Sequence, residues 1–414
     1  MTAVSTPQGA LSHLKVLDLS RILAGPWAGQ LLADLGAETF KVERPGTGDD
    51  TRAWGPPFVK DAEGEALDAA YFLCANRNKK SLAIDFTRPE GQVLIRALAA
   101  ECDVLIENFK VGGLAAYGLD YESLREANSG LIYCSITGFG QTGPYAARPG
   151  YDFLIQGMGG LMSITGPAAG EPGAGPQKVG VAVTDVMTGL YATVGVLAAL
   201  AHRERTGEGQ HIDVALLDVQ VAALANQAAN YLVGGIAPGR MGNAHPNIVP
   251  YQDFPTADGH MIVAVGNDAQ FVRLCTELGA SQIALDARFA ANRDRIAHRE
   301  ALASELSRYT AARSSAHWIA ALEAAGVPCG PINTIDQVFD DPQVRSRGMR
   351  FDLPHRGGTV PLVANPLRFS ASPVRYHTAP PELGAHTRDV LGSVLGVSLQ
   401  QMDALTRAHV IPIE

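Results

Sequence analysis

At 414 residues the chain exceeds what one hydrophobic core organises, so two domains are expected. Its 46% hydrophobic content is that of an ordinary soluble globular protein. The formal net charge of -9 argues against a general nucleic-acid binder, whose phosphate contacts need concentrated Lys and Arg, but leaves room for a local basic pocket.

Cys74, Cys102, Cys134, Cys275 and Cys329 are odd in number and scattered, and they form no metal-ligand spacing. They read as buried thiols of a reducing compartment. Met1 to His13 lacks the basic-then-apolar pattern of a signal peptide. The apolar span Val186 to Leu200 is too short and too interrupted by Gly and Thr to cross a bilayer. A cytoplasmic protein with neither membrane nor nucleic-acid partner is expected.

Leu14 to Ser20 reads as a buried strand. It is followed by Arg21-Ile-Leu-Ala-Gly-Pro26, a helix from about Trp27 to Leu35, and a second strand from Ala37 to Glu43. Such a β-loop-α-β opening suggests a nucleotide site, but Gly25 and Gly29 do not make the G-x-G-x-x-G spacing of a dinucleotide fingerprint. The turn-rich loop Arg44 to Arg52 carries two arginines that could hold phosphates. The basic cluster Arg77-Asn-Lys-Lys80 stands directly before the strand Ser81 to Phe86, and is open between a solvated face and a phosphate contact. An amphipathic helix from Pro89 to Ala100 precedes the strand Asp103 to Glu107, which ends at Asn108-Phe109. Leu131 to Ile136 is one more strand. Strands ending in polar or aromatic loops are where open α/β sheets bind ligands.

A Gly/Pro-rich segment then leads to Arg148-Pro-Gly-Tyr-Asp152 and an apolar, Met-containing run to Ile164. After the loose loop Thr165 to Gln177, a Val-rich stretch reaches Thr184-Asp185 and opens a proline-free apolar pattern of about five helical turns. Thr184 or Asp185 is expected to cap that helix. Asp185 has a second reading as a nucleophilic carboxylate at a positively polarised helix start. His211 to Asp218 continues into a small-residue helix through Tyr231. Beyond Gly234 the character changes: a D-G turn at Gly259 precedes the strand Met261 to Val265, and helices dominate from Ala269 to Ala325.

In order and spacing, six motifs together resemble the class III coenzyme A transferases, from about Leu14 to Leu395. They are Leu23-Ala-Gly-Pro26, Lys41-Val-Glu-Arg-Pro-Gly46, Gly48-Asp49, Asn78-Lys-Lys-Ser81, Asp103-Val-Leu-Ile-Glu-Asn-Phe109 and Thr206-Gly-Glu-Gly-Gln210. The resemblance implies that Asp185, just before Val186-Met-Thr-Gly189, is the nucleophile. It would pass CoA through an acyl anhydride and an aspartyl-CoA thioester, with no metal or tightly bound cofactor, and with the coenzyme A thioester as substrate. The resemblance sets Arg44 near the CoA phosphates, and Ile84, Asn108 and Phe109 along the adenine and ribose. Arg148 follows as a further CoA contact. Arg88 and the cluster Arg77 to Lys80 are added from charge alone. Leu23, Tyr151 and Asp152 match the acyl pocket.

The closest likeness is to the succinyl-CoA:glutarate type, carried by Trp54-Gly-Pro-Pro-Phe58, Asn76-Arg-Asn-Lys-Lys-Ser81 and Ile248-Val-Pro-Tyr-Gln252 among others. A dicarboxylic acid needs a cation or several donors for its distal carboxylate, for which Arg21, Arg77, Arg240 and His245 are candidates. The loop Gly242 to Asn247 stands where related enzymes carry a glycine-rich lid.

The fold implied is α/β. A Rossmann-like large domain (1–224) is followed by a smaller α+β domain (225–335) and a C-terminal return to the large domain (336–414), in an interlocked homodimer. The related 2-methylacyl-CoA racemases place a His directly before an Asp where this chain has Tyr151-Asp152, and a Tyr with a pKa near ~10 is a poor general base at neutral pH. A nucleotide-dependent oxidoreductase and a catalytically silent CoA-binding scaffold are the readings from other classes.

Overall fold

The computed structural model describes residues 9–413. Residues 1–8, most of the stretch read above for a signal peptide, and residue 414 lie outside the described residues. The chain separates into two compact units. One comprises Met1–Gly160, Gly180–Ala228 and Gln343–Glu414; the other comprises Leu161–Val179 and Ala229–Pro342.

A six-stranded sheet organises the first unit: β1 (Lys15–Asp18), β2 (Glu38–Glu43), β3 (Lys79–Ala83), β4 (Val104–Glu107), β5 (Ile132–Thr137) and β6 (His211–Ala215). Every pairing is parallel and the order across the sheet is β3-β2-β1-β4-β5-β6. This is the order of doubly wound dinucleotide-binding sheets, with the strand order reversing between β1 and β4. Both faces are covered. Leu17, Phe40, Leu82 and Leu105 form one core, which also takes in Val390, Leu391 and Met402 from the C-terminal helices. Val16, Val104 and Ile132 form the other, against α1 (Ala24–Asp34) and the long helix described below. Successive residues Val16 and Leu17 thus serve opposite cores, as alternation along a strand requires.

Helix α1 begins three residues earlier than expected. Pro26 falls within its first turn, where a missing N–H leaves no intrahelical bond unmade. Helix α2 (Pro89–Glu101) and the short α3 (Asp152–Met158) precede α4 (Val183–Thr206), which packs on α1, β5 and β6. At 24 residues, with a mean hydropathy of 1.5 over its most apolar window, α4 is long and apolar enough to cross a bilayer, contrary to the shorter span read from sequence. Thr184, Asp185, Thr188, Gly189, Ala192 and Val196 are buried, which gives it the place of a core helix.

The second unit holds an antiparallel sheet of β7 (Tyr251–Thr256), β8 (Gly259–Ala264) and β9 (Cys329–Pro331), with β8 central. Phe254, Met261, Phe271, Leu302 and Trp318 fill its core. The loop 161–179, expected in the large domain, groups with this unit. Gly242 N donates to Gly166 O at 3.1 Å, and Arg240 Nε donates to Pro167 O at 3.3 Å.

Candidate active site

Where the strand order reverses, the chain leaves β1 and β4 in opposite directions and opens a crevice at their C-terminal ends. A cavity of about 530 Å³ occupies it. Leu23 enters from the β1–α1 turn, Arg44 from the end of β2, Ile84 from the end of β3, and Asn108 and Phe109 from the end of β4. Arg148, Tyr151 and Asp185 line it as well.

Neither Thr184 nor Asp185 caps α4. The helix begins at Val183, and its cap position falls on Ala182, whose methyl group accepts no hydrogen bond. Asp152 supplies the acceptor from the start of α3. Its Oδ1 takes the backbone N–H of Thr184 at 2.8 Å and that of Asp185 at 3.3 Å, while Gln156 Nε2 donates to Oδ2 at 2.7 Å. Two orphan donors of the helix start are satisfied in this way. Asp152 is therefore buried at the foot of the helix and is not among the residues lining the cavity.

Asp185 is itself 9% exposed. Burial, and then the charge of Asp152, push its carboxyl up to about 7. Close approach of α1 to α4 is possible because position 189 has no side chain. A Cβ at Gly189 would meet the Ala24 carbonyl oxygen at 2.7 Å and Trp27 Cβ at 3.0 Å.

The cations of the basic cluster are all engaged by acidic side chains, Arg77 and Lys79 buried and Lys80 partly exposed. Arg77 is buried on Asp34, with Nε to Oδ1 at 2.9 Å and Nη2 to Oδ2 at 2.5 Å. Lys79 is buried on Asp18 at 2.9 Å, and Lys80 pairs with Glu38 at 2.7 Å. Arg52 is likewise turned inward, held by Glu43 at 2.7 Å and Asp68 at 2.8 Å. Arg88 pairs with Asp85 at 3.3 Å and does not line the cavity. Of the candidates for a distal carboxylate, Arg21 lines the cavity, its guanidinium 3.1 Å from Asp50. Arg240 and His245 belong to the second unit and are outside the lining. There the Nδ1 of His245 accepts the Asn247 N–H at 3.1 Å, and its ring lies against Tyr251.

Two features escaped the sequence reading. Lys41, fully buried, donates to Asp49 Oδ2 at 2.8 Å and to the Ser20 carbonyl at 3.0 Å. Burial opposes the charge on Asp49, yet the Lys41 ammonium and hydrogen bonds from Lys41 and Thr51 outweigh it and hold the carboxyl down to about 2. Tyr71 is the other. Burial, reinforced by the charge of Asp185, pushes its phenol up to about 12. A Lys or Tyr inside a strand or helix pattern carries no local mark of such a role.

A cavity at the switch point with one buried, high-pKa carboxylate suits a CoA-handling site, and the comparisons agree. The sequence profile of CoA-transferase family III matches residues 11–387. The chain belongs to CoA-transferase family III. Among its relatives, the succinate–glutarate CoA-transferase of Agrobacterium fabrum is 55% identical over 395 residues, covering 95% of this chain and 98% of the relative. The human succinyl-CoA:glutarate CoA-transferase is 43% identical, covering 97% and 90%. A crystal structure of a CAIB/BAIF family protein from Brucella suis superposes with a TM-score of 0.82 at 52% identity, covering 94% of this chain and all of that one. This family III chain is an enzyme that transfers CoA.

Proposed function

We propose that this enzyme moves CoA from succinyl-CoA, or another dicarboxylyl-CoA, to a free dicarboxylic acid, with Asp185 as the nucleophile. The observation that carries the chemistry is the buried Asp185 carboxylate opening into a cavity with Arg44 and Arg148. The substrate class follows the names of the relatives.

The Asp185 carboxylate attacks the thioester carbonyl, giving a mixed anhydride and CoA thiolate. The thiolate attacks the aspartyl carbonyl and releases the donor acid, leaving aspartyl-CoA. The acceptor carboxylate attacks that thioester, and the freed thiolate takes the acceptor's acyl group from the second anhydride and restores Asp185. A carboxylate with a pKa near 7 is a better nucleophile than an ordinary aspartate, and burial keeps water from the anhydrides. Arg44 and Arg148 would take CoA phosphates, and Ile84 and Phe109 would flank the adenine. Arg21, the candidate cation that lines the cavity, would take the distal carboxylate.

The active form is a homodimer in this reading. Leu190, Tyr191 and Val194 leave an apolar stripe of α4 exposed, and Leu232, Val233 and Ile236, well after α4 in the chain, are exposed too, which supports a partner copy as their cover.

Intact-mass measurement after incubation with succinyl-CoA, on wild type and Asp185→Ala, tests the assignment. A CoA adduct on the wild type alone, discharged by glutarate or another dicarboxylic acid, is expected. CoA binding without an adduct or exchange would replace the transferase with a silent CoA-binding protein.

A further inference from the structure

One side chain spans the crevice between β1 and β4. Asn108, just past the end of β4, accepts the Arg21 N–H through Oδ1 at 2.9 Å and donates to the Arg21 carbonyl through Nδ2 at 2.7 Å. The backbone of Arg21 is thereby held from across the switch point. The next residue, Ile22, has a φ of 72°, the left-handed region that disfavours a β-branched side chain. Asp49 holds it there, both carboxylate oxygens lying 3.3 Å from the Ile22 N–H. Lys41 ties the arrangement together through Asp49 and the Ser20 carbonyl. Thus Ser20, Arg21 and Ile22 each have backbone groups fixed by a side chain from outside the turn: Lys41 within β2, Asn108 just past β4, and Asp49 in the loop after β2. The turn so held, Ile22 to Ala24, lines the cavity that Asp185 also lines.

We propose that Asn108 and Asp49 are positioning residues that hold the Arg21–Leu23 turn in its strained form as the wall of the acyl end of the cavity. Asn108 then serves the turn and not the ribose of CoA. This rests on the transferase reading above. A strained conformer with a dedicated partner for each polar group persists only because its surroundings over-determine it, and such sites occur where a reacting group must be held in place. Three covalent species, an anhydride, aspartyl-CoA and a second anhydride, follow one another at the Asp185 carboxylate, and a wall displaced by ~1 Å is enough to cost a large factor in rate.

Steady-state kinetics with succinyl-CoA and glutarate test this on wild type, Asn108→Ala, Asn108→Asp and the double variant Asn108→Ala/Ile22→Gly. Asn108→Ala should lower kcat by about tenfold or more while the KM for succinyl-CoA stays within about threefold. Asn108→Asp, which keeps the acceptor and loses the donor, should fall between. Glycine takes a positive φ without a clamp, so the double variant should recover kcat by at least about threefold over Asn108→Ala. A rise in KM for succinyl-CoA with kcat unchanged would make Asn108 a direct CoA contact and overturn the proposal, as would the absence of recovery. Wild-type protein without turnover on any acid would sink the transferase reading separately. Amide hydrogen exchange over residues 20–24 then decides the clamp, with faster exchange in Asn108→Ala expected and unchanged exchange ruling it out.

Discussion

Asp152 Oδ1 lies 3.3 Å from the backbone nitrogen of Asp185, so the carboxylate that starts the helix also adds a charge beside the proposed nucleophile. Removing that charge while keeping an acceptor separates the two effects. In Asp152→Asn the cap persists, because Asn is as good an N-cap as Asp. The limb of kcat/KM that reports ionisation of Asp185, expected near pH 7, should move to lower pH by about one unit. Burial of Asp185 remains, so the limb should stay above the range of an ordinary aspartate. An unmoved limb would mean that burial alone sets the basicity.

The same raised carboxyl predicts a pH-dependent stability. The folded chain keeps a proton on Asp185 up to about pH 7, whereas the unfolded chain loses it near the ordinary value of 3.8. Wild type therefore loses stability as pH rises from about 4 to 7, relative to a variant with no titrating group there. Asp185→Asn should match wild type near pH 4 and exceed it by about 2 to 4 kcal/mol at pH 8. Urea unfolding at the two pH values measures the difference. Because both proteins share every other group, a constant offset would argue against the raised pKa.

Two arginines that look alike in sequence should behave oppositely. Arg44→Ala should raise the KM for acyl-CoA about tenfold and weaken its salt dependence, with little change in stability. Arg77→Ala leaves Asp34 buried without its guanidinium and should cost about 3 to 5 kcal/mol in urea unfolding. At temperatures where it is folded, its KM for acyl-CoA should match that of the wild type.

Gly189→Ala places a methyl group against the Ala24 carbonyl, where neither helix backbone can yield cheaply. A loss of about 1 to 3 kcal/mol is expected, together with a lower kcat as α4 shifts and carries Asp185 with it. Gly195→Ala, on the same helix, meets only the Ile212 side chain at 3.2 Å and is the control.

Val194→Glu puts a charge on the exposed apolar stripe of α4. If the proposed dimer forms through this stripe, sedimentation should show a dimer for wild type and a monomer for the variant, with CoA-transfer activity lost. An active monomer would remove the need for a second copy.

The sheet was legible in the sequence because its strands, buried on both faces, leave short, mainly apolar runs such as Leu131 to Ile136. Helix α4 was legible as an element, but its cap was not. The acceptor, Asp152, stands 33 residues before Asp185, and a spacing rule that looks within one turn cannot find it. The cluster Arg77 to Lys80 was misread for a similar reason. Its acidic partners Asp34, Asp18 and Glu38 come from α1, β1 and β2, so their approach exists only once the sheet has formed. Arg44, Ile84, Asn108 and Phe109 line the cavity just past strand ends, and they were expected from the family resemblance, since no local pattern separates them from the other loop residues around them.

The pair Lys79 and Asp18 joins two strands with neither side chain in contact with water. Losing either partner strands a charge inside the sheet, while replacing both by matched apolar groups need not be costly. Homologous chains should therefore differ at these positions by joint replacement and not one at a time. An ancestor changing one first would have passed through a poorly folded form, so the pair acts as a lock on the history of this sheet.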